Sequence, residues 1–331
     1  MHIDWLDLNA LDQRDVDGAT AVIETARAAD CPHELAYNSR TVAADLQYGW
    51  EANPAQAALA RGARDRVVGV LIVRYSPWDN RHMAGIEITV DPTARRQGLG
   101  SRLFEAAVER VVTDGRTLVT ASSWEGTPGI EFAKAMGMDR ALEEVKRAQN
   151  LWTLDRDRLD GLAAEAAAQH PEYQIVSIAM PTPEHLLVQI CEMTAAINDA
   201  PTDDLDIEDD VFTPDRIRAF ERAQFAHDRR LYRLVAQHRQ TGALAGHTMV
   251  GVEAMTPWHA YQFDTSVQRA HRGHRLGLSL KIAMLRLLAE QESQVRVLET
   301  WNAASNDHMI AVNEALGYRV VARAIDWQKH L

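Results

Sequence analysis

Two stretches of the chain place a glycine-rich turn between an apolar, strand-like run and an amphipathic helix. The first runs Ile86-Glu87-Ile88-Thr89-Val90, then Asp91-Pro92, then Arg95-Arg96-Gln97-Gly98-Leu99-Gly100, then SRLFEAAVERVV. The second runs Gln262-Phe263-Asp264-Thr265-Ser266-Val267, then Arg272-Gly273-His274-Arg275-Leu276-Gly277, then LSLKIAMLRLLAEQ. A helix start of this kind is an anion site. The first-turn amides have no partner inside the helix, and the helix dipole adds about half a positive charge there. Glycine lets a phosphate approach without a Cβ in the way. Arg95, Arg96 and Arg102 crowd one start, and Arg269, His271, Arg272, His274 and Arg275 crowd the other. Cations oppose the dipole at that end, so an anion between them and the amides would explain the clusters. Solvated basic turns are the plainer explanation for either copy alone; two copies favour the anion.

The anion site is neither a P-loop nor a dinucleotide fingerprint. No GxxxxGK[ST] is present, and Gly98-Leu99-Gly100-Ser101-Arg102-Leu103 lacks the third glycine. No GxSxG nucleophile turn exists either.

The elements around the two loops recur in order. Val90 and Val267, Gly100 and Gly277, and Trp124 and Trp301 are each 177 positions apart, and Gly137 and Gly317 are 180 apart. The chain therefore reads as a duplication. In the first half the patterns predict strands at 3–8, 56–61, 66–75, 84–90, 116–122 and 144–154. Helices are expected at 12–29, 40–48, 98–113 and 128–136. The second half predicts the same order: strands at 174–180, 230–237, 243–255, 260–267, 295–301 and 319–328, with helices at 183–197, 214–227, 276–291 and 307–316. The expected domains are 1–155 and 173–331, joined by a polar, alanine-rich linker at 156–172.

The net charge of −12 argues against a general nucleic-acid binder or an anionic-membrane binder, and mildly favours a cationic partner. Cys31 and Cys191 are too far apart for a disulfide framework or a CxxC metal pair, which suits a reducing cytoplasm. The opening residues have no basic and apolar pattern of the kind expected of a signal peptide, and no apolar run reaches the roughly 20 residues of a membrane helix. His271 and His274 lack a third ligand, so no metal is expected.

Arg95-Arg96-Gln97-Gly98-Leu99-Gly100 satisfies [QR]-x-x-G-x-[GA] between strand and helix, and so resembles motif A of the GNAT N-acetyltransferase superfamily. HRGHRLGLSLK, ETWNAASNDHMIAVNEALGY and INDAPTDDLDIEDD resemble its tandem group, whose two-domain plan mycothiol synthase and several antibiotic-acetylating enzymes share. The resemblance implies an α/β (α+β) fold: two tandem domains, each a mixed, mostly antiparallel sheet flanked by helices, with a V-shaped opening for acetyl-CoA. It implies that Arg95, Arg96, Gln97, Gly98, Gly100 and Ser101, and in the second half Arg272, Gly273, His274, Arg275, Gly277 and Leu278, hold the pyrophosphate. Val90 and Val267 would hold the pantetheine and thioester, with Asn302 and Asn306 also on the coenzyme.

This sequence departs from the family at three places. Arg275 replaces the first motif glycine, Gly126 stands where Asn306 stands in the other half, and Ala133 and Asn313 occupy the positions of the tyrosine often used as general acid. Glu87 and Asp264, each three residues before the strand-end valine, are the candidate bases for removing the acceptor ammonium's proton, in that order of basicity. Structural hydrogen bonding or binding of the ammonium would equally explain them. Between Asp199 and Asp210 lie seven acids and no base, either attracting a polycationic or amino-sugar substrate or forming a solvated loop. The expected activity is direct acetyl transfer from acetyl-CoA to a small-molecule amine, with the second half catalytic. The alternatives are a non-catalytic acyl-CoA sensor and a protein or peptide N-acetyltransferase.

Overall fold

Val67–Arg74 reads VVGVLIVR, and its first seven residues are buried. An unbroken apolar run of that length belongs in the middle of a sheet covered on both faces. The computed structural model describes residues 2–331 and builds a sheet around it. The first repeat contributes β1 (His2–Trp5), α1 (Gln13–Asp30), α2 (Ser39–Tyr48), β2 (Gln56–Arg61), β3 (Val67–Arg74), β4 (Met83–Val90), α3 (Leu99–Thr113), β5 (Leu118–Trp124), α4 (Pro128–Ala135) and β6 (Asp139–Asn150). The second begins with α5 (Arg156–Ala167), β7 (Tyr173–Ile178), α6 (Leu187–Thr194), α7 (Pro214–Ala226) and β8 (Arg229–His238). It continues with β9 (Leu244–Glu253), β10 (His259–Val267), α8 (Leu276–Gln291), β11 (Val297–Ala303), α9 (Asp307–Ala315) and β12 (Arg319–His330).

The chain forms two compact units. The first holds residues up to Glu143 together with Thr202–Asp209 and Arg323–Leu331. Its strands β1 to β4 pair antiparallel in chain order. β4 and β5 run parallel, paired only from Met83 against Leu118 to Gly85 against Thr120. Beyond that point no ladder joins them. Residues 324–330 of β12 then pair antiparallel with the far edge of β5. One face is covered by α1 and α2 through Ala19, Val22, Val42 and Leu46 on Leu59 and Val70. The other is covered by α3 through Leu99, Leu103 and Ala107 on Leu71. Each fully buried leucine contributes about 1.5–3 kcal/mol by leaving water.

The second unit holds Glu144–Pro201 and Asp210–Ala322 and repeats the plan. β7, β8, β9 and β10 pair antiparallel. β10 and β11 are parallel only from His259 against Val297 to Tyr261 against Glu299. Residues 144–150 of β6 close the sheet against β11. The compact units thus differ from the continuous spans 1–155 and 173–331, because the last strand of each repeat completes the other repeat's sheet. The mixed, mostly antiparallel, helix-flanked architecture is the one expected.

Three local expectations are corrected. β1 stops at Trp5 rather than residue 8, because the Asp7 carboxylate accepts from the Asn9 amide (3.0 Å) and starts a short turn of helix. β6 begins at Asp139, five residues earlier than expected. The linker is mostly helix: Asp155 accepts from the Arg158 amide at 3.0 Å, and Leu159, Leu162, Ala163 and Ala166 pack on the core that includes α8. Their spacing puts them on one helical face.

Candidate active site

The two glycine-loop helices differ from most others in how they begin. α1, α2, α5, α7 and α9 are each capped by a side chain, from Asp12, Asn38, Asp155, Thr213 and Asn306. The starts of α3 and α8 carry no side-chain cap. Both instead open on a residue in the left-handed region, Gly98 at φ +77° and Arg275 at φ +54°. The α-helical ladder first closes at Arg102 N on Gly98 O (3.2 Å) and at Ser279 N on Arg275 O (3.1 Å). The amides of Leu99, Gly100 and Ser101, and of Leu276, Gly277 and Leu278, are therefore the bare, dipole-favoured donors that an anion would use. A Cβ built on Gly98 or Gly273 meets nothing within 4 Å, so the approach is open. Arg275 reaches the same conformation with a side chain, at a cost of about 1 kcal/mol.

The motif arginines do a different job from the one their clustering suggested. Arg95 Nε donates to Val90 O at 3.1 Å, and its two terminal nitrogens grip the Asp30 carboxylate at 2.9 and 2.6 Å. Arg272 repeats the arrangement: Nε donates to Val267 O at 2.9 Å and a terminal nitrogen to Asp199 at 2.5 Å. Arg269 also binds Asp199. Its hydrogen bond does most to hold the Asp199 carboxyl below the usual carboxylate range; burial opposes it, and Arg272 adds to the lowering. These arginines tie a strand end to an acid that closes an earlier helical segment. Arg275 lies 3.4 Å from Glu165, and His274 Nδ1 lies 3.2 Å from Gln169 O. Both side chains have protein partners already. Arg96 and Gln97 stay exposed at the first loop.

The two candidate bases occupy unlike surroundings. In β10 the ladder to β9 slips, so that Met249 alone faces both Phe263 and Asp264. Such a bulge re-aims a side chain. Asp264 Oδ2 comes to 2.7 Å from His247 Nε2, with the Asp264 side chain 20% exposed and His247 fully buried. Burial alone would raise the Asp264 carboxyl, but His247 and the buried guanidinium of Arg233 outweigh it and hold it below its ordinary value. Glu87, by contrast, faces Ile72 in an unbroken ladder, is mostly exposed and accepts from Arg74 Nε at 2.9 Å. Arg74 also holds Asp45. Sequence reasoning missed His247 and Arg233. The signal was available: a histidine and an arginine at inward positions of the buried strands LAGHTMVGVE and RRLYRLVAQH.

The asparagines divide their roles. Asn306 Oδ1 caps α9 by accepting from Met309 N at 3.2 Å. Asn302, three residues beyond the last β10–β11 pair, accepts from Asn313 Nδ2 at 2.7 Å. The second loop is also the roomier one. A Cβ on Gly277 would meet only Thr265 Cγ2 at 4.0 Å, whereas one on Gly100 would meet Phe132 at 3.0 Å.

The acidic stretch is a tied connection. Asp199 is held by Arg269 and Arg272, Glu208 accepts from Asn80 N at 3.0 Å, and Asp210 meets Arg216 at 3.2 Å. Asp206 has His82 and His330 at 3.8 Å, and residues 202–209 belong to the first unit. At least four of the seven acids are thus engaged by this chain, which weakens their reading as a trap for a polycation. Among the described residues no group of three His, Cys, Asp or Glu could hold a metal, and no helix is long and apolar enough to cross a membrane.

A family model of the acetyltransferase (GNAT) family matches residues 21–151. The solved structure of a tandem GNAT protein from the clavulanic acid biosynthesis pathway, without AcCoA, is 30% identical. That likeness covers 99% of this chain and 98% of that one, with a TM-score of 0.78. The chain belongs to the GNAT acetyltransferase family. A GCN5-related N-acetyltransferase from Sphaerobacter thermophilus shares the fold at 15% identity, over 99% of this chain and 95% of that one, with a TM-score of 0.69. So does a protein from Pyrococcus horikoshii described as an acetyltransferase, at 11% identity over 99% and 89%, with a TM-score of 0.58. No curated protein matched the chain. Family membership makes acyl transfer the general activity, and it accounts for two glycine loops built alike.

Proposed function

We propose that this GNAT protein is an acetyl-CoA-dependent N-acetyltransferase that acylates the amine of a small molecule, with the second unit performing the chemistry. One observation carries the choice of unit: the carboxylate on the β10 bulge, the diverging strand pair and the uncapped α8 all meet along β10. In the first unit the matching carboxylate is exposed and bound to arginine. The diphosphate of the coenzyme would lie on the amides of Leu276, Gly277 and Leu278 and the turn Gly273-His274-Arg275, with the pantetheine arm passing Val267, Asn302 and Asn306. The loop Gln97–Ser101 has the same form and would bind a second coenzyme.

Asp264 supplies the base. An ammonium has no lone pair, so the acceptor must lose a proton before its nitrogen attacks the thioester carbon. The carbon–nitrogen bond forms, the carbon–sulfur bond breaks, the nitrogen gives its second proton to solvent, and the electron pair leaves on sulfur without any covalent intermediate on the enzyme. Holding amine and thioester together can supply up to about 7–11 kcal/mol of the barrier. The pathway of the 30% identical relative supports a small-molecule acceptor of amino-sugar or antibiotic type. Two free, buried cysteines support a reducing, cytoplasmic setting.

An acyl-CoA sensor is the second reading, favoured by Ala133 and Asn313 at the positions of the usual tyrosine. Calorimetry with acetyl-CoA counts the sites, and thiol release against an amine panel separates the two readings. Release with one class of amine supports the enzyme. Tight binding without release for any amine, peptides included, supports the sensor.

A further inference from the structure

Lys281 lies on α8 with 2% of its surface exposed, and among the described residues no carboxylate pairs with it. Its Nζ donates to Asn313 Oδ1 at 2.7 Å, and Asn313, on α9, is fully buried. Asn313 Nδ2 in turn donates to Asn302 Oδ1 at 2.7 Å. The other group facing the lysine is the ring of Tyr318, 4.9 Å away, whose hydroxyl is kept neutral by burial.

The direction of this chain is fixed at one end. In its charged form Lys281 has donors and no acceptor, and Asn313 then turns its carbonyl to Lys281 and its amino group to Asn302. Asn302 must then offer its own carbonyl inward, which leaves its amino group as the outer end. Each bond polarises the next. Asn302 is only partly buried and sits where β11 has already parted from β10. Asn313 occupies the position of the usual tyrosine acid. The first unit has nothing comparable: Phe104, Ala133 and Met138 fill the positions of Lys281, Asn313 and Tyr318 and belong to its apolar core.

We propose that Lys281, Asn313 and Asn302 form a one-way hydrogen-bond relay that stabilises the coenzyme thiolate as the carbon–sulfur bond breaks. This rests on the acetyltransferase reading and assigns its missing leaving-group partner. No proton moves along the relay. Asp264 takes the first proton of the ammonium, the nitrogen loses its second proton to solvent as the amide forms, sulfur takes the electron pair of the broken bond, and the thiolate is protonated by solvent after it leaves. Asn302 is the residue that touches sulfur, and Lys281 and Asn313 position and charge it. Burial pushes the Lys281 ammonium down to about 7, and a thiolate at the far end would favour the charged form.

The test uses the full-length protein and coenzyme A itself, so no acceptor is needed. Calorimetry first establishes binding to the wild type, Lys281→Met and Asn302→Ala. The ultraviolet absorbance of the thiolate, less that of the protein alone, then gives the titration of the bound thiol. In the wild type the thiol bound to the second unit should titrate below free coenzyme, because a hydrogen bond to the charged form favours it. Both variants should lose that displacement. Asn302→Ala keeps the test alive if Lys281→Met fails to fold. Binding with the same thiol titration in all the folded proteins would overturn the relay alone; no binding to the wild type would overturn the acetyltransferase reading with it.

Discussion

Replacing Lys281 with methionine should remove a pH dependence from the stability of the second unit. The lysine titrates near its ordinary 10.5 when unfolded and at about 7 when folded, with burial as the cause. Because the folded value is depressed, the unfolded chain holds more protons between those limits, and stability rises with pH across that window. Below about pH 7 both states are charged and the full cost of burying the ammonium is felt. Between about pH 6.5 and 9.5 the two titrations differ by a little over two units, worth about 3 kcal/mol at about 1.4 kcal/mol per unit. Methionine matches the length of the lysine stem and carries no charge, so the variant should lose this rise. It should also leave the Asn313 carbonyl unsatisfied, at a pH-independent cost of about 1–3 kcal/mol. Urea unfolding of both proteins at the two pH values measures the difference. Equal pH dependence in wild type and variant would refute the reasoning.

Gly98→Ala should cost about 1 kcal/mol of stability through the left-handed backbone alone, since its Cβ meets no neighbour; thermal unfolding checks it, and calorimetry should show weaker coenzyme binding at the first loop only. His247→Gln should raise the Asp264 carboxyl by removing the ring that helps hold it down. Because that folded value is depressed, its stabilising contribution is present at neutral pH and lost as pH falls through it. In the variant the loss, and the acid limb of thiol release, should begin at higher pH, as acid titrations of unfolding and of rate would show. Glu87→Gln, on an exposed and arginine-paired carboxylate, should change stability by less than about 1 kcal/mol in urea unfolding.

The fold was legible because its strands and helices keep their own periods. Val67–Arg74 is apolar throughout, and the α3 sequence places Leu99, Leu103, Ala107 and Val111 on one face. What a single chain pattern cannot show is which sheet a strand joins. Residues 144–150 and 324–330 look like the last strands of their own repeats, yet each completes the other unit. The uncapped helix starts were readable from Gly98 and the repeat, while the role of Arg95 and Arg272 was not. Their partners Asp30 and Asp199 lie 65 and 73 positions away, and only folding brings them together. Asp264 and Glu87 stood at the same point of the repeat, and the bulge that separates them is a property of the ladder. Lys281 was hidden inside an amphipathic pattern, where a lysine normally marks the solvent face.

The central claim is that the Asp264 carboxylate, on the β10 bulge, removes the proton from the acceptor amine. Its most direct measurement is thiol release from acetyl-CoA with the responding amine, comparing wild type, Asp264→Asn and Glu87→Gln at neutral pH. The expected result is a loss of about 10²–10⁴-fold in kcat for Asp264→Asn with acetyl-CoA binding retained, and little change for Glu87→Gln. Full turnover in Asp264→Asn, or its loss in Glu87→Gln instead, would contradict the account.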